Sequence, residues 1–239
     1  MKSNFRKDSN NEKMISEWLD KYFYPKVDRF ENGRFSFVSR RANQFITDEE
    51  KIQKHGIDIV YKTQAEKLLY VDEKAQLDYL NNNLPTFAFE IKFKNRNNGF
   101  SDGWFIREDL KTTHYLLVYP NSTLVEDAQQ LQNFEEITSV ELLLIEKDKL
   151  WHELKSRNVT KENLVREGDE LIYKEKVGKE QIKDSSSKDM YLYRTSPSVK
   201  MEEPINVIVK RKVLEKISDA IWMVDKNEIK EERKPKYYY

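Results

Sequence analysis

The stretch on which the reading turns is Gly56-Ile57-Asp58-Ile59-Val60-Tyr61, followed after the polar segment 62–67 by Leu68-Leu69-Tyr70-Val71-Asp72-Glu73-Lys74-Ala75-Gln76. Two β-rich runs joined by a short polar turn predict a hairpin. The first run is apolar except for one carboxylate, Asp58. A lone carboxylate in apolar surroundings takes up a proton unless a cation or a metal compensates its charge. The second run begins apolar on both faces, as an interior strand does, and then turns sharply polar. With a strand's period of two, Asp72, Lys74 and Gln76 project from one face. Across a short hairpin Asp58 can approach Asp72, setting two carboxylates and one ammonium at a single spot of a sheet.

Two carboxylates in close approach repel unless a divalent ion lies between them. Oxygen ligands without His or Cys favour Mg²⁺ or Mn²⁺. Mg²⁺ held by one or two carboxylates keeps part of its water shell and accepts a phosphate as a further ligand. A lysine beside such an ion supplies positive charge to a phosphoryl transition state and can position an attacking water. Phosphodiester hydrolysis uses all of these parts.

Asp58, a 13-residue gap and then Asp72-Glu73-Lys74 resemble the PD-(D/E)XK nuclease superfamily, the restriction-endonuclease-like fold. In that pattern a helix precedes a meander of strands, the first acid lies on the second strand, and the (D/E)XK triplet lies on the third. The resemblance spans roughly residues 11–157. It implies Asp58 and Asp72 as metal ligands, the backbone carbonyl of Glu73 as a further ligand, Lys74 as the catalytic lysine and Gln76 as a polar accessory residue. Gly56-Ile57 stands where the pattern nominally has a proline before the acid. The first helix often adds a carboxylate, for which Glu12 and Glu17 are the candidates.

A [DE]xK triplet alone carries little information in a chain this rich in Glu and Lys; seven occur, ending at Lys51, Lys74, Lys92, Lys111, Lys155, Lys230 and Lys234. Most lie in polar stretches that read as solvated faces. The serious competitor is Glu90-Ile91-Lys92, on the polar face of 86–94, where Phe87, Phe89, Ile91 and Phe93 alternate with Ala88, Glu90, Lys92 and Lys94. An exposed strand face accounts for it fully. An ion pair between Asp58 and Lys74 without any metal is the structural alternative for the hairpin.

The whole chain has 239 residues, with 42 Lys plus Arg balanced by 42 Asp plus Glu. That balance excludes a globally basic nucleic-acid binder, so a polyanion must meet a local basic patch. One candidate patch is 21–44, with Arg34, Arg40 and Arg41 near Phe30, Phe35 and Phe37. Lys92, Lys94 and Arg96 form a second, and Lys210-Arg211-Lys212 a third. Without cysteine there are no disulfides, Cys-ligated zinc sites or thiol nucleophiles. His55, His114 and His152 are far apart and form no ligand spacing. The polar start and short apolar runs predict a cytoplasmic protein without a membrane span.

Working outward, residues 1–10 read as a disordered lead-in, and 11–24 as a helix ended by Pro25. Strands are expected near 34–39, 104–106, 114–119 and 140–145, and helices at 48–55, weakly around 126–134, and at 147–157. A boundary near Asn158 separates this core from a C-terminal α+β extension, 158–225, with strands at 190–194 and 205–209, a helix at 212–222 and a charged tail, 226–239. The expectation is an α/β protein: a restriction-endonuclease-like mixed sheet flanked by helices, with the extension as a possible docking part for a protein partner. The expected activity is metal-dependent cleavage of DNA, or of RNA. The alternative is a catalytically silent DNA-binding or assembly module on the same fold.

Overall fold

In a computed structural model of the chain, residues 5–30, 35–40, 56–76, 80–81, 84–123 and 131–233 are described. The elements are α1 (Phe5–Tyr22), α2 (Tyr24–Phe30), β1 (Phe35–Arg40), β2 (Ile59–Thr63), β3 (Leu68–Ala75), β4 (Thr86–Lys94), β5 (Phe100–Asp102), β6 (His114–Ser122), β7 (Ile137–Glu146), α3 (Lys147–Lys155), α4 (Lys161–Tyr173), β8 (Gly178–Glu180), β9 (Met190–Arg194), β10 (Ile205–Lys210), α5 (Arg211–Ile217), β11 (Ala220–Asp225) and β12 (Ile229–Arg233). The protein is mixed α/β with two sheets, and the chain divides into two compact units.

One unit, built from 5–84, 110–147 and the segment from 215 onward, holds a seven-stranded sheet in the order β1-β2-β3-β6-β7-β11-β12. Its neighbours are antiparallel except β3 and β6, which run parallel with Asp72 opposite Tyr115 and Lys74 opposite Leu117. The apolar stripe of α1 lies on this sheet. Ile15, Trp18 and Leu19 share one buried cluster with Ile59, Val71, Leu116, Leu142 and Trp222. Trp18 is fully buried and its indole N–H donates to the Ile137 carbonyl at 2.9 Å, so its one polar group is satisfied. The opposite face of β2 and β3 carries a small second cluster of Ile57 and Val60 with Val38, Leu68 and Tyr70 packed against it.

The other unit, 85–109 with 148–214, holds a five-stranded antiparallel sheet in the order β5-β4-β10-β9-β8. Phe87 and Phe89 alternate inward as expected, but the pairing of β4 with β10 slips between Asn206 opposite Glu90 and Ile205 opposite Lys92. Ile91 is the extra residue of a bulge, which turns the following side chain to the other face. Lys92 therefore leaves the polar face assigned to it and is buried, and a Cβ at Gly168 of α4 would meet the side chains of Ile91 and Lys92 at 3.4 Å.

Several boundaries differ from the sequence expectation. α1 starts at Phe5, inside the expected lead-in. Pro25 does not simply end a helix; it sits in the first turn of α2, where its missing N–H is no loss. Residues 104–106 form a turn, and the strand is Phe100–Asp102. The helix expected over 212–222 stops at Ile217, and 220–225 is a strand whose Trp222 enters the seven-stranded unit's core. The expected tail contains β12. Thus the C-terminal third is divided: β8 to β10 belong to one sheet, β11 and β12 to the other, which differs from a linear partition at Asn158. The expected helix 48–55 and the segment 124–130 lie outside the described residues.

Candidate active site

The hairpin brings Asp58 and Asp72 together at one end. Ile59 pairs with Val71, and the Asp58 N–H donates to the Val71 carbonyl at 2.9 Å. Asp58, just before β2, and Asp72, on β3, thus lie at the same end of the hairpin, and their carboxyl groups come within reach of each other. The Asp58 carboxylate also accepts the Glu73 backbone N–H at 2.9 Å. Asp72 is almost fully buried, 2 % exposed, and its Oδ1 lies 2.7 Å from the Lys74 ammonium.

Burial raises the Asp72 pKa to about 7, with the Lys74 charge pulling it back and the Asp58 carboxylate, within hydrogen-bonding reach, adding to the rise. For Lys74 burial works against the charge, yet the Asp72 and Asp58 carboxylates outweigh it and push its pKa up to about 12; Glu12, exposed on α1, contributes in the same direction. Tyr115, opposite Asp72 on the parallel neighbour β6, is buried and its phenol is raised by burial and by the Asp72 charge. The cluster is thus a pair of carboxylates with a locked ammonium, poised near neutrality.

Glu73 points the other way, as alternation demands. Its carboxylate accepts Ser16 Oγ from α1 at 3.2 Å and the Tyr24 hydroxyl from α2. Only its backbone can face the Asp58–Asp72 side, and that backbone already holds Asp58. Neither Ser16, Tyr24 nor Tyr115 was legible as part of the site. The first two reach it from separate helices and the third across a parallel pairing, so no local spacing marks them.

Among the described residues no group of three or more His, Cys, Asp or Glu side chains converges on a metal position. The donor set is two carboxylates, which matches the way Mg²⁺ is held by one or two carboxylates with phosphate and water completing its shell. Glu17, the other helix candidate, pairs with Lys13 at 3.6 Å. Gln76 is half-buried just past β3, with its N–H donating to Val118 O at 2.9 Å.

The competing triplet is placed differently. Lys92 is paired with Asp169 at 2.9 Å and Asp102 at 3.5 Å inside the five-stranded unit. Lys94 is paired with Glu203 at 2.7 Å, a carboxylate that also holds the buried Arg194 at 2.6 Å. Both charges are paired within the fold; the Lys92 side chain is buried there, and that of Lys94 is half-buried. Arg96 is exposed in the turn after β4. Arg34, Arg41 and His55 lie outside the described residues, as does the side chain of Arg40.

No protein-family model matches the chain, and no curated protein or solved structure does so. Among the described residues no helix is long and apolar enough to cross a membrane.

Proposed function

We propose that this chain is a divalent-metal-dependent nuclease of the restriction-endonuclease-like fold that hydrolyses phosphodiester bonds, with DNA as its substrate. The observation that carries this is the buried Asp72, its pKa raised to about 7 by burial and by the adjoining Asp58, held against Lys74. Strongly perturbed carboxylates with a specific charge partner concentrate at functional sites. The order of the described elements supports it as well: two helices, a strand, a strand entered at the first acid, and a strand bearing the triplet.

In this proposal Asp58 and Asp72 hold Mg²⁺ or Mn²⁺, with the Glu73 backbone beside them. The ion supplies charge stabilisation at the phosphate and a bound water of lowered pKa. Lys74, fully protonated at neutral pH, neutralises charge developing on the phosphate oxygens and holds the water's orientation. Glu73, clamped by Ser16 and Tyr24 from its far side, fixes the strand and so the direction of the Asp58 carboxylate.

The test is cleavage of plasmid and linear DNA under Mg²⁺ or Mn²⁺ with Asp58→Asn and Lys74→Ala. Each folded variant should lose at least about a hundredfold in rate; variants that cut like the parent would refute the assignment. One observation favours a second reading: Lys74 already neutralises Asp72 at 2.7 Å, as a purely structural ion pair would. Calorimetry separates the two, because a silent module takes up no Mn²⁺ or Mg²⁺.

A further inference from the structure

The five-stranded sheet has one face packed with Phe87, Phe89, Leu192, Val207 and Val209 and another that carries polar and aromatic groups. On β9 the burial alternates, with Met190, Leu192 and Arg194 inward and Tyr191 and Tyr193 outward; Tyr193 is 41 % exposed. Pairing extends this outward face sideways. Tyr191 is opposite Ile208, and Tyr193 is flanked by Asn206 on β10 and Lys179 on β8. The Lys179 ammonium lies 4.2 Å from the centre of the Tyr191 ring.

At the end of the same strand the charge is positive. Asp189, one position before β9, accepts Lys210 and Lys212, each at 2.9 Å, and Arg157 lies at 3.7 Å. Alternation puts Asp189, Tyr191 and Tyr193 on one face. The Arg157 guanidinium is held by Glu153 at 2.6 Å, so the surplus is that of two ammonium groups on one carboxylate, beside two tyrosines spaced about 7 Å apart along the strand. Both lysines keep much of their surface, with side chains 40 % and 67 % exposed.

On this face Tyr193 is exposed, Tyr191 is half-buried and Ile208 beside it is buried; aromatics in alternate positions bordered by cations suit a single strand of nucleic acid, whose unpaired bases stack on rings while its phosphates meet ammonium groups. A duplex keeps its bases stacked inside and has no use for the rings, and an acidic peptide would use the lysines alone. We infer that this face docks single-stranded nucleic acid, with bases on Tyr191 and Tyr193 and phosphates at Lys179, Lys210 and Lys212. An incoming base displaces the Lys179 ammonium from the Tyr191 ring, and the freed ammonium turns to the adjacent phosphate. The inference takes only the class of partner from the proposed function; the surface lies wholly within the five-stranded unit and is independent of Asp58, Asp72 and Lys74.

The test is fluorescence anisotropy of the full chain with a labelled oligothymidylate, in EDTA so that nothing is cut, against a duplex and an oligoglutamate as competitors. The single strand should bind in preference to both. Tyr193→Ala should weaken binding roughly five- to a hundredfold while Tyr193→Phe retains it. Lys210→Gln and Lys212→Gln should each lower the logarithmic salt slope by about 0.7. Thermal melts identify any variant that fails to fold, and Tyr193, being exposed, is the safest probe. The inference is overturned if the parent does not bind the oligothymidylate, if Tyr193→Ala binds it unchanged, or if duplex or oligoglutamate displaces it equally well. Asp58→Asn should bind the strand like the parent, so loss of cleavage and loss of binding fail separately.

Discussion

Asp72 holds its proton more tightly in the folded chain than in the unfolded one, since burial and Asp58 raise it from an ordinary 3.8 to about 7. Between those values the folded state binds more protons, so stability falls as pH climbs from about 4 to about 7. A shift of about three pH units corresponds to at most about 4 kcal/mol. Lys74 acts in a separate window: its raised pKa contributes stability that is complete below about 10.5 and is lost as pH rises through about 12. Denaturant unfolding in EDTA from pH 4 to 8 should therefore show Asp72→Asn gaining on the parent as pH rises. A difference that stays constant across that range would mean that Asp72 titrates normally. The carboxylate is costly where it stands, and such cost is typical of sites retained for chemistry.

At the scale of elements the bulge in β4 decides the most. Around it the chain folds back closely: the Gly103 N–H donates to Ile91 O at 2.8 Å and the Phe105 N–H to Glu90 O at 3.0 Å. A Cβ on Gly103 would lie 2.4 Å from the Glu90 carbonyl oxygen, a backbone atom that cannot step aside. Gly103→Ala should cost about 2 kcal/mol or more, read as a fall in the denaturation midpoint. Unchanged stability would mean that this turn is not held against β4. The bulge also explains why the alternation of Glu90-Ile91-Lys92 breaks down. Strict alternation placed Lys92 on the polar face, whereas one extra residue turned it toward α4 and Asp169. α4 carries a weak sequence signal for a related reason. Its buried positions are Leu164, Glu167, Gly168 and Leu171, and a stripe containing Glu and Gly carries little apolar signal. Thr160, whose side chain accepts the Asn163 N–H at 3.2 Å, was the available start signal.

For the whole molecule, chain order and spatial order part company. β4 and β5 stand between β3 and β6 in sequence yet pair in the other sheet, and β11 returns from the far end of the chain to pair with β7. A fragment 1–157 would keep β4 but lose β10, its partner, and would keep β7 but lose β11 and the buried Trp222. It should therefore show no cooperative unfolding and should bind a hydrophobic dye in buffer. A sharp melt from that fragment would restore a linear partition near Asn158. The zero net charge likewise hides structure: basic groups at Asp189 and acidic ones in the hairpin cancel in the sum while remaining far apart in sequence.

The sequence by itself determined the β2–β3 hairpin, the amphipathic α1 and the meeting of Asp58, Asp72 and Lys74. Those features depend on periodicity and on contacts between residues close along the chain, which local pattern encodes. Tertiary structure alone decided that Tyr115 lies beside Asp72, that Ser16 and Tyr24 hold Glu73, that Lys92 is buried against Asp169, and that Trp222 completes a core begun at Trp18. Each of these joins residues tens of positions apart through a strand pairing, a helix packing or a bulge. Their energy appears only once the whole chain has closed, so no window of sequence contains it.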